Sequence, residues 1–371
     1  MIQFSDLPIR DDLRGLTPYG APQLSVPVQL NVNENTHGIP EDVARDIVES
    51  IAGAVLTVNR YPDREFTQLR DSLADYLNSS MESAGDTAVA SILTRDHIWA
   101  ANGSNEVLQQ ILQAFGGPGR SVLGFPPTYS MHSIIAAGTG TRWIAAERDD
   151  EFAISPETVV RAIEEHQPDI VFLCAPNNPT GTPLGMETVE AAYAATTGIV
   201  VVDEAYAEFI PAGMPQAISL LPGRERLIVS RTMSKAFAFA GARLGYLAAD
   251  PAVADALRLV RLPYHLSALT QAAANAALRH SPEMLAMVDD IRHERDRMVT
   301  ELTLLGYRPH ESWANFVLFG GVENPHEVFE ALLAEGILIR DIGIPNHLRV
   351  TAGTAAETTA FLEALGRIGR I

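Results

Sequence analysis

The chain has 371 residues, 47% of them hydrophobic and 20% charged, with a formal net charge of −19. That length predicts more than one core, and that balance an ordinary folded protein. The acidic surplus argues against nucleic acid and anionic membrane surfaces as partners. No apolar run reaches the length of a bilayer-spanning helix. A single cysteine, Cys174, excludes an internal disulfide and suits a reducing compartment. The first residues lack the basic start and apolar stretch of a signal peptide, so a cytoplasmic protein is expected. The ten histidines form no His-x-x-x-His or Cys/His cluster, and no metal site is expected.

The first thirty-odd residues carry Pro8, Pro18, Pro22 and Pro27 and read as an arm, residues 1–38, packing with the smaller of two domains. From Pro40 the apolar residues Val43, Ile47, Ile51 and Val55 recur every four positions, predicting a helix. Phe66, Leu69, Leu73 and Leu77 mark a second, and Ser104 opens a third with Val107, Leu108, Ile111, Leu112 and Phe115 on one side. Short apolar runs then alternate with helices, at 121–124, 169–175, 198–202, 227–230 and 244–248. Runs apolar at successive positions predict strands covered on both faces, as in a parallel sheet flanked by helices. This organisation predicts a larger α/β domain over 39–264. A helical stretch at 267–305, strands near 315–319 and 348–351 and a helix opened by Thr354-Ala355-Ala356-Glu357 predict a smaller α+β domain over 265–371.

Of 27 basic residues, 26 are arginines and one is lysine, Lys235. Arginine is never deprotonated in a protein and cannot form a Schiff base, whereas a lysine of lowered pKa can. Ligands of open α/β sheets gather at the carboxyl ends of the strands, and four such ends carry unusual residues. Asp203 closes an otherwise apolar run, Ile199 to Val202, and needs a cationic partner there. Asn177-Asn178-Pro179-Thr180-Gly181 follows another run. Asn102-Gly103-Ser104-Asn105 approaches a helix start through glycine, which suits an anion. Thr232, Ser234 and Lys235, followed by Arg243, add two hydroxyls and a guanidinium fit for a phosphate monoester. An anion cradle, a buried acid, an asparagine, a tyrosine and one amine are what pyridoxal phosphate requires.

These segments, in this order, resemble the fold-type I aminotransferases. The finer matches are Thr17-Pro18-Tyr19-Gly20, Asn33-Glu34-Asn35, Asn59-Arg60-Tyr61-Pro62-Asp63, Pro127-Thr128-Tyr129, Leu262-Pro263-Tyr264-His265, Ile339-Arg340-Asp341 and Leu348-Arg349-Val350-Thr351. They resemble the histidinol-phosphate aminotransferase subgroup and cover nearly the whole chain. The resemblance implies that Lys235 links to the aldehyde of pyridoxal 5′-phosphate, that Asp203 pairs with the pyridine nitrogen, and that Asn178 and Tyr206 hold the phenolic oxygen. It implies that Tyr129 stacks on the ring and that Ser104, Asn105, Thr232, Ser234 and Arg243 hold the phosphate. Tyr61 is implied to reach the neighbouring subunit's phosphate, making the enzyme a homodimer. Tyr19, Asn33, Tyr264, Arg340 and Arg349 are implied to bind substrate, and Asn315 to orient an arginine.

The reaction implied converts imidazole-acetol phosphate and glutamate to L-histidinol phosphate and 2-oxoglutarate, in histidine biosynthesis. An aromatic amino-acid aminotransferase of the same subgroup is the alternative, and a phosphothreonine-type decarboxylase a more distant one. The subgroup's usual proline after Asn-Glu-Asn is absent; Thr36-His37 stands there, and His37 is not expected to reach substrate.

Overall fold

A computed structural model describes residues 3, 6–15, 20–83 and 92–369. In chain order it forms β1 (Val28–Gln29), α1 (Glu41–Val55), α2 (Thr67–Ser83), β2 (Ile98–Ala101), α3 (Ser104–Phe115), β3 (Ser121–Gly124), α4 (Met131–Thr139) and β4 (Arg142–Ala145). There follow α5 (Pro156–His166), β5 (Ile170–Cys174), α6 (Met186–Ala195), β6 (Ile199–Asp203), β7 (Leu227–Thr232), β8 (Gly245–Ala249), α7 (Pro251–Val260) and α8 (Ala268–Arg279). The last part is α9 (Ser281–Leu285), α10 (Met287–Leu304), β9 (Arg308–Pro309), β10 (Phe316–Gly320), α11 (Pro325–Ala334), β11 (Ile337–Leu338), β12 (His347–Thr351) and α12 (Ala355–Ile368).

Seven strands make the central sheet, in the order β2-β8-β7-β6-β5-β3-β4. Only β8 runs against its neighbours; the other six are mutually parallel. The continuous apolar runs explain this. Every residue of β5 and of β7 is buried, as a sheet covered on both faces requires. β4 lies at the edge, with Arg142 and Ala145 exposed, so its sequence lacks the continuous apolar signal. The register sets Cys174 beside Asp203 and Asp203 beside Ser230. That brings the polar ends of three strands to one edge.

Two hydrophobic cores form. The larger surrounds the central sheet. The smaller gathers α10, α12, β10, β12 and Leu30 of the arm. β1 pairs in parallel with β11, so the arm packs on the smaller unit. Helix α8 departs from the division at residue 265. Its Ala273, Ala274, Ala276 and Ala277 belong to the larger core, packed on α1 and α2. Small side chains let these helices approach closely, and an alanine-rich run carries little periodic signal. The smaller core begins at Met287. It also takes in Tyr206, Phe209 and Ala236, which the chain order places among the larger unit's residues. The N-cap of α12 is Thr354, with a reciprocal bond between its backbone and Glu357.

Candidate active site

The carboxyl ends of β5, β6 and β7, the start of α3 and the 31–34 segment enclose a cavity of about 610 Å³. Lys235 lies in its wall, just past β7. Its Nζ donates to the Val32 carbonyl at 3.1 Å. Burial, with a smaller push from the nearby Arg349 guanidinium, lowers the amine from 10.5 to about 8, against an opposing pull from Glu34. Asp203 is buried at the end of β6. One of its oxygens is 3.1 Å from Nε2 of buried His132, and the other accepts from the Ser230 hydroxyl at 3.3 Å. The buried acid is thus held by two hydrogen-bond partners, and the fixed cation expected beside it is not among them.

His132 is a residue that sequence reasoning missed. It stands three positions after Tyr129, in the first turn of α4, and packs edge-on to that ring. Tyr129 precedes the N-cap Ser130, and the His132 amide donates to the Tyr129 carbonyl at 3.0 Å, so the turn into α4 sets the two rings together; that three-residue spacing was the available signal. The Tyr129 hydroxyl donates to Asn105 at 3.0 Å, joining the α4 and α3 starts.

Tyr206 Oη accepts from the amides of Asn33 (2.9 Å) and Asn178 (3.2 Å). Burial is the main cause that pushes this phenol well above its ordinary value. Asn178 also accepts from Arg349 Nη1 at 2.6 Å, and Arg349 Nη2 donates to the Asn31 carbonyl at 2.8 Å. Arg349 lies over the Phe316 ring. Arg340 bridges Arg349 through the backbone and lines the cavity.

At the opposite end, Gly103 is the N-cap of α3 at φ +84° and supplies no side-chain cap. The Glu106 and Val107 amides reach the Gly103 carbonyl, which leaves those of Ser104 and Asn105 without an intrahelical acceptor. A Cβ at position 103 would lie 2.6 Å from Arg243 Nη2, so only glycine lets that guanidinium approach the helix start. The Thr232 hydroxyl accepts from the Ser234 amide at 3.1 Å, with Ser234 Oγ 3.0 Å away. Ser104, Asn105, Thr232, Ser234 and Arg243 all line the cavity. They form a cradle of amides, hydroxyls and one guanidinium, which suits a phosphate.

Not every expected residue is here. Tyr61 and Tyr264 stack on each other at 4.4 Å between centroids, away from this cavity, and Tyr61 is 80% exposed. Tyr19 lies outside the described residues. Asn315 does not hold an arginine; its amide donates to the Asn33 and Glu34 carbonyls and fixes that cavity segment. His37 is not among the lining residues. Cys174 lines the cavity as well as the core, its thiol pushed up to about 12 chiefly by burial. Among the described residues, no three His, Cys, Asp or Glu side chains cluster as metal ligands, and no helix is long and apolar enough to cross a membrane.

A mostly parallel sheet presenting one half-buried amine, one buried acid and an anion cradle at its strand ends defines a pyridoxal-phosphate enzyme fold. The chain belongs to the aminotransferase class I and II family, whose model matches residues 25–365. It is 60% identical over 362 residues to the histidinol-phosphate aminotransferase of Paenarthrobacter aurescens (strain TC1), covering 97% of this chain and 94% of that one. Identity to the Thermobifida fusca (strain YX) histidinol-phosphate aminotransferase is 55% over 360 residues, 97% and 95% of the two chains. Among solved structures, the Sinorhizobium meliloti histidinol-phosphate aminotransferase in complex with pyridoxal-5′-phosphate superposes with a TM-score of 0.80. It is 26% identical, over 92% of this chain and 91% of that one. An L-threonine-O-3-phosphate decarboxylase from Porphyromonas gingivalis has a TM-score of 0.75 at 23% identity, over 92% and 99% of the two chains. That likeness reflects the shared fold.

Proposed function

We infer that this chain is a transaminase that exchanges the amino group of glutamate with imidazole-acetol phosphate, giving L-histidinol phosphate and 2-oxoglutarate. The observation that carries the chemistry is the chain's single lysine, half-buried in the cavity wall with its amine lowered to about 8. The relatives at 60% and 55% identity carry the substrate assignment. The cofactor is pyridoxal 5′-phosphate, which supplies an electron sink for the pair released at the substrate Cα.

The chain's own groups divide the remaining work. Lys235 Nζ, about half of it uncharged at pH 8, would take the proton from substrate Cα and deliver it to the cofactor carbon that keeps the amino group, a role worth about 10²–10⁴-fold. Asp203, oriented by His132 and Ser230, holds a proton on the ring nitrogen. Tyr206 and Asn178 would hold the phenolic oxygen of the cofactor, and Tyr129 would lie against its ring. Ser104, Asn105, Thr232, Ser234 and Arg243 hold the phosphate. Arg349 and Arg340 present guanidinium groups to the substrate, Asn178 joins Arg349 to Tyr206, and Asn33 also holds the Tyr206 hydroxyl. A guanidinium accepts carboxylate and phosphate in the same geometry, as two half-reactions with glutamate and a phosphate ester require. Tyr19 would join the substrate site, and Tyr264, stacked on Tyr61 away from this chain's own cavity, would serve the site of a second copy.

The active form is a homodimer in the cytoplasm. Supporting this, the exposed Leu56, Val58, Leu259 and Leu262 lie on two segments that the Tyr61–Tyr264 stack brings together. An apolar surface of that kind suits a second copy, into whose cavity Tyr61 would reach.

Borohydride reduction of the cofactor-loaded enzyme, followed by peptide mapping, is expected to place the label on Lys235. Lys235→Ala abolishes turnover. Label on any other residue, or full activity in that variant, rejects the reading. A higher kcat/KM with phenylalanine than with histidinol phosphate would instead favour the aromatic substrate. Carbon dioxide release without a keto acid would favour decarboxylation.

A further inference from the structure

We propose that Arg292, which lies outside the cavity on α10, is a positioning residue for Tyr206. The inference rests on the role given to Tyr206 above and adds to it a residue of the smaller unit. Tyr206 precedes a single 3-10 turn, Ala207–Phe209. The carbonyls that close such a turn have no partner within it. Arg292 takes three of them in succession. Its Nη2 donates to Glu208 at 2.7 Å and Ile210 at 2.6 Å, and its Nε to Phe209 at 3.3 Å. Its remaining nitrogen, Nη1, is tied to Asp289 at 2.9 Å. Arg295, on the same helix, adds a bond from Nη1 to Phe209 at 3.2 Å and to Ala314 at 3.3 Å.

The other end of the segment is held by the larger unit. Glu204 receives Arg231 Nε and Nη2 at 3.1 and 2.8 Å, and Gln216 accepts from the same guanidinium at 2.6 Å. Burial opposes charge on Arg231, but the Glu204 carboxylate outweighs it and raises its affinity for its proton. Tyr206 thus hangs between two arginines from two different cores. Its ring meets Phe316 edge-on at 5.2 Å, and it belongs to the smaller core. Its hydroxyl points the other way, to Asn33 and Asn178 at the cavity.

The Arg231 end fixes where the segment leaves β6. The Arg292 end fixes how far the turn carries the phenol toward the cavity. A displacement of about 1 Å at a catalytic group costs on the order of 10²-fold, so the grip of α10 on three carbonyls reaches the chemistry without touching it. Arg292 is a quarter exposed, so its truncation leaves both cores intact.

The test compares Arg292→Met, Arg292→Lys and Arg297→Met in the full-length enzyme. Arg297 also lies on α10, but it donates to Glu294, Thr359 and the Ala355 carbonyl, facing α12. Its loss reports generic weakening of the helix. Three readouts are taken: amide hydrogen exchange of residues 204–212, the visible absorbance of the cofactor-loaded enzyme, and kcat and KM with histidinol phosphate. Arg292→Met is expected to raise exchange at 207–212, shift the absorbance maximum and lower kcat about 10-fold with KM nearly unchanged. Arg292→Lys recovers most of each loss. Arg297→Met lowers Tm and leaves absorbance and kcat at wild-type values.

Wild-type absorbance and kcat in Arg292→Met would overturn the proposal, as would equal losses in Arg297→Met. Should Arg292→Met fail to fold, Arg292→Lys decides alone: unchanged absorbance with unchanged kcat rejects the positioning role. Failure of the transaminase reading itself would show separately, as absence of label on Lys235 in the wild-type enzyme.

Discussion

The two ends of the cavity are built differently. At the end where the phosphate cradle lies, partners come from neighbouring strands or from one helix start. Ser230 meets Asp203 across two adjacent strands, the Ser234 amide meets Thr232 two residues away, and Tyr129 meets Asn105. At the other end, partners come from the two cores. Arg349, on β12, reaches Asn178 and the Asn31 carbonyl, and Thr351 is bonded to Asn33. The first end is complete once the central sheet has formed. The second exists only when the smaller unit sits on the larger. Cofactor capture can therefore be separated from substrate recognition, and each prediction below acts on one end.

The largest expected effect concerns the half-buried amine. The unfolded chain holds the Lys235 proton up to about 10.5, its ordinary value, while the folded chain releases it at about 8. The unfolded state therefore binds more protons between those values, and stability rises with pH across that window. Below pH 8 the folded state carries a partly desolvated charge. Cofactor-free Lys235→Met is expected to be more stable than the wild-type apoprotein by about 3 kcal/mol at pH 7. The gap should close toward pH 10.5. Urea unfolding of both proteins at several pH values measures it. A gap that stays constant with pH would mean that the amine is solvated, and that this end of the cavity is not as closed as its geometry indicates.

The next effect belongs to the other end. Arg349→Lys keeps the charge and loses the planar fork that spans Asn178 and Asn31. Hydrogen bonds to charged groups contribute about 1.5–3 kcal/mol. KM for histidinol phosphate is expected to rise about 10–100-fold, with cofactor affinity changed little. Loss of the cofactor to the same extent would show that the two ends are one unit.

The same difference explains what could be read in the sequence. Asp203, Lys235, Thr232, Ser234 and the Gly103–Ser104 turn sit in short contiguous segments at strand ends, so local pattern exposes them. The central sheet was legible because its strands are apolar at every position; the edge strand β4 was not, with two of its four residues exposed. Arg340 and Arg349 were readable as types but not as neighbours, since only the folded smaller unit bridges them and sets Arg349 beside Asn31 and Asn178. The role of Asn315 could not be seen at all, because its partners at 33 and 34 lie some 280 residues away. Helix α8 joined the larger core through alanines, which carry no periodic signal. His132 was the exception within the well-read end. Its partner Asp203 is on another element, 71 residues away, and only its spacing from Tyr129 hinted at it.

The smallest expected effect tests whether that histidine matters to the acid it touches. His132 Nε2 is 3.1 Å from Asp203, and among the described residues its Nδ1 has no partner. A proton on Nε2 would make this ring a donor that orients the Asp203 carboxylate. His132→Asn keeps a donor of similar reach and loses the ring packing against Phe172 and Tyr129. His132→Leu keeps apolar bulk and loses the donor. If the bond orients Asp203, the leucine variant loses about 5-fold in kcat, matching a net hydrogen bond of about 1 kcal/mol, and the asparagine variant recovers most of it. If packing alone matters, the order reverses: leucine retains activity and asparagine loses it. The sign of that difference, read from single-turnover rates with histidinol phosphate, decides whether the cofactor end is held by its hydrogen bonds or by the core beneath them.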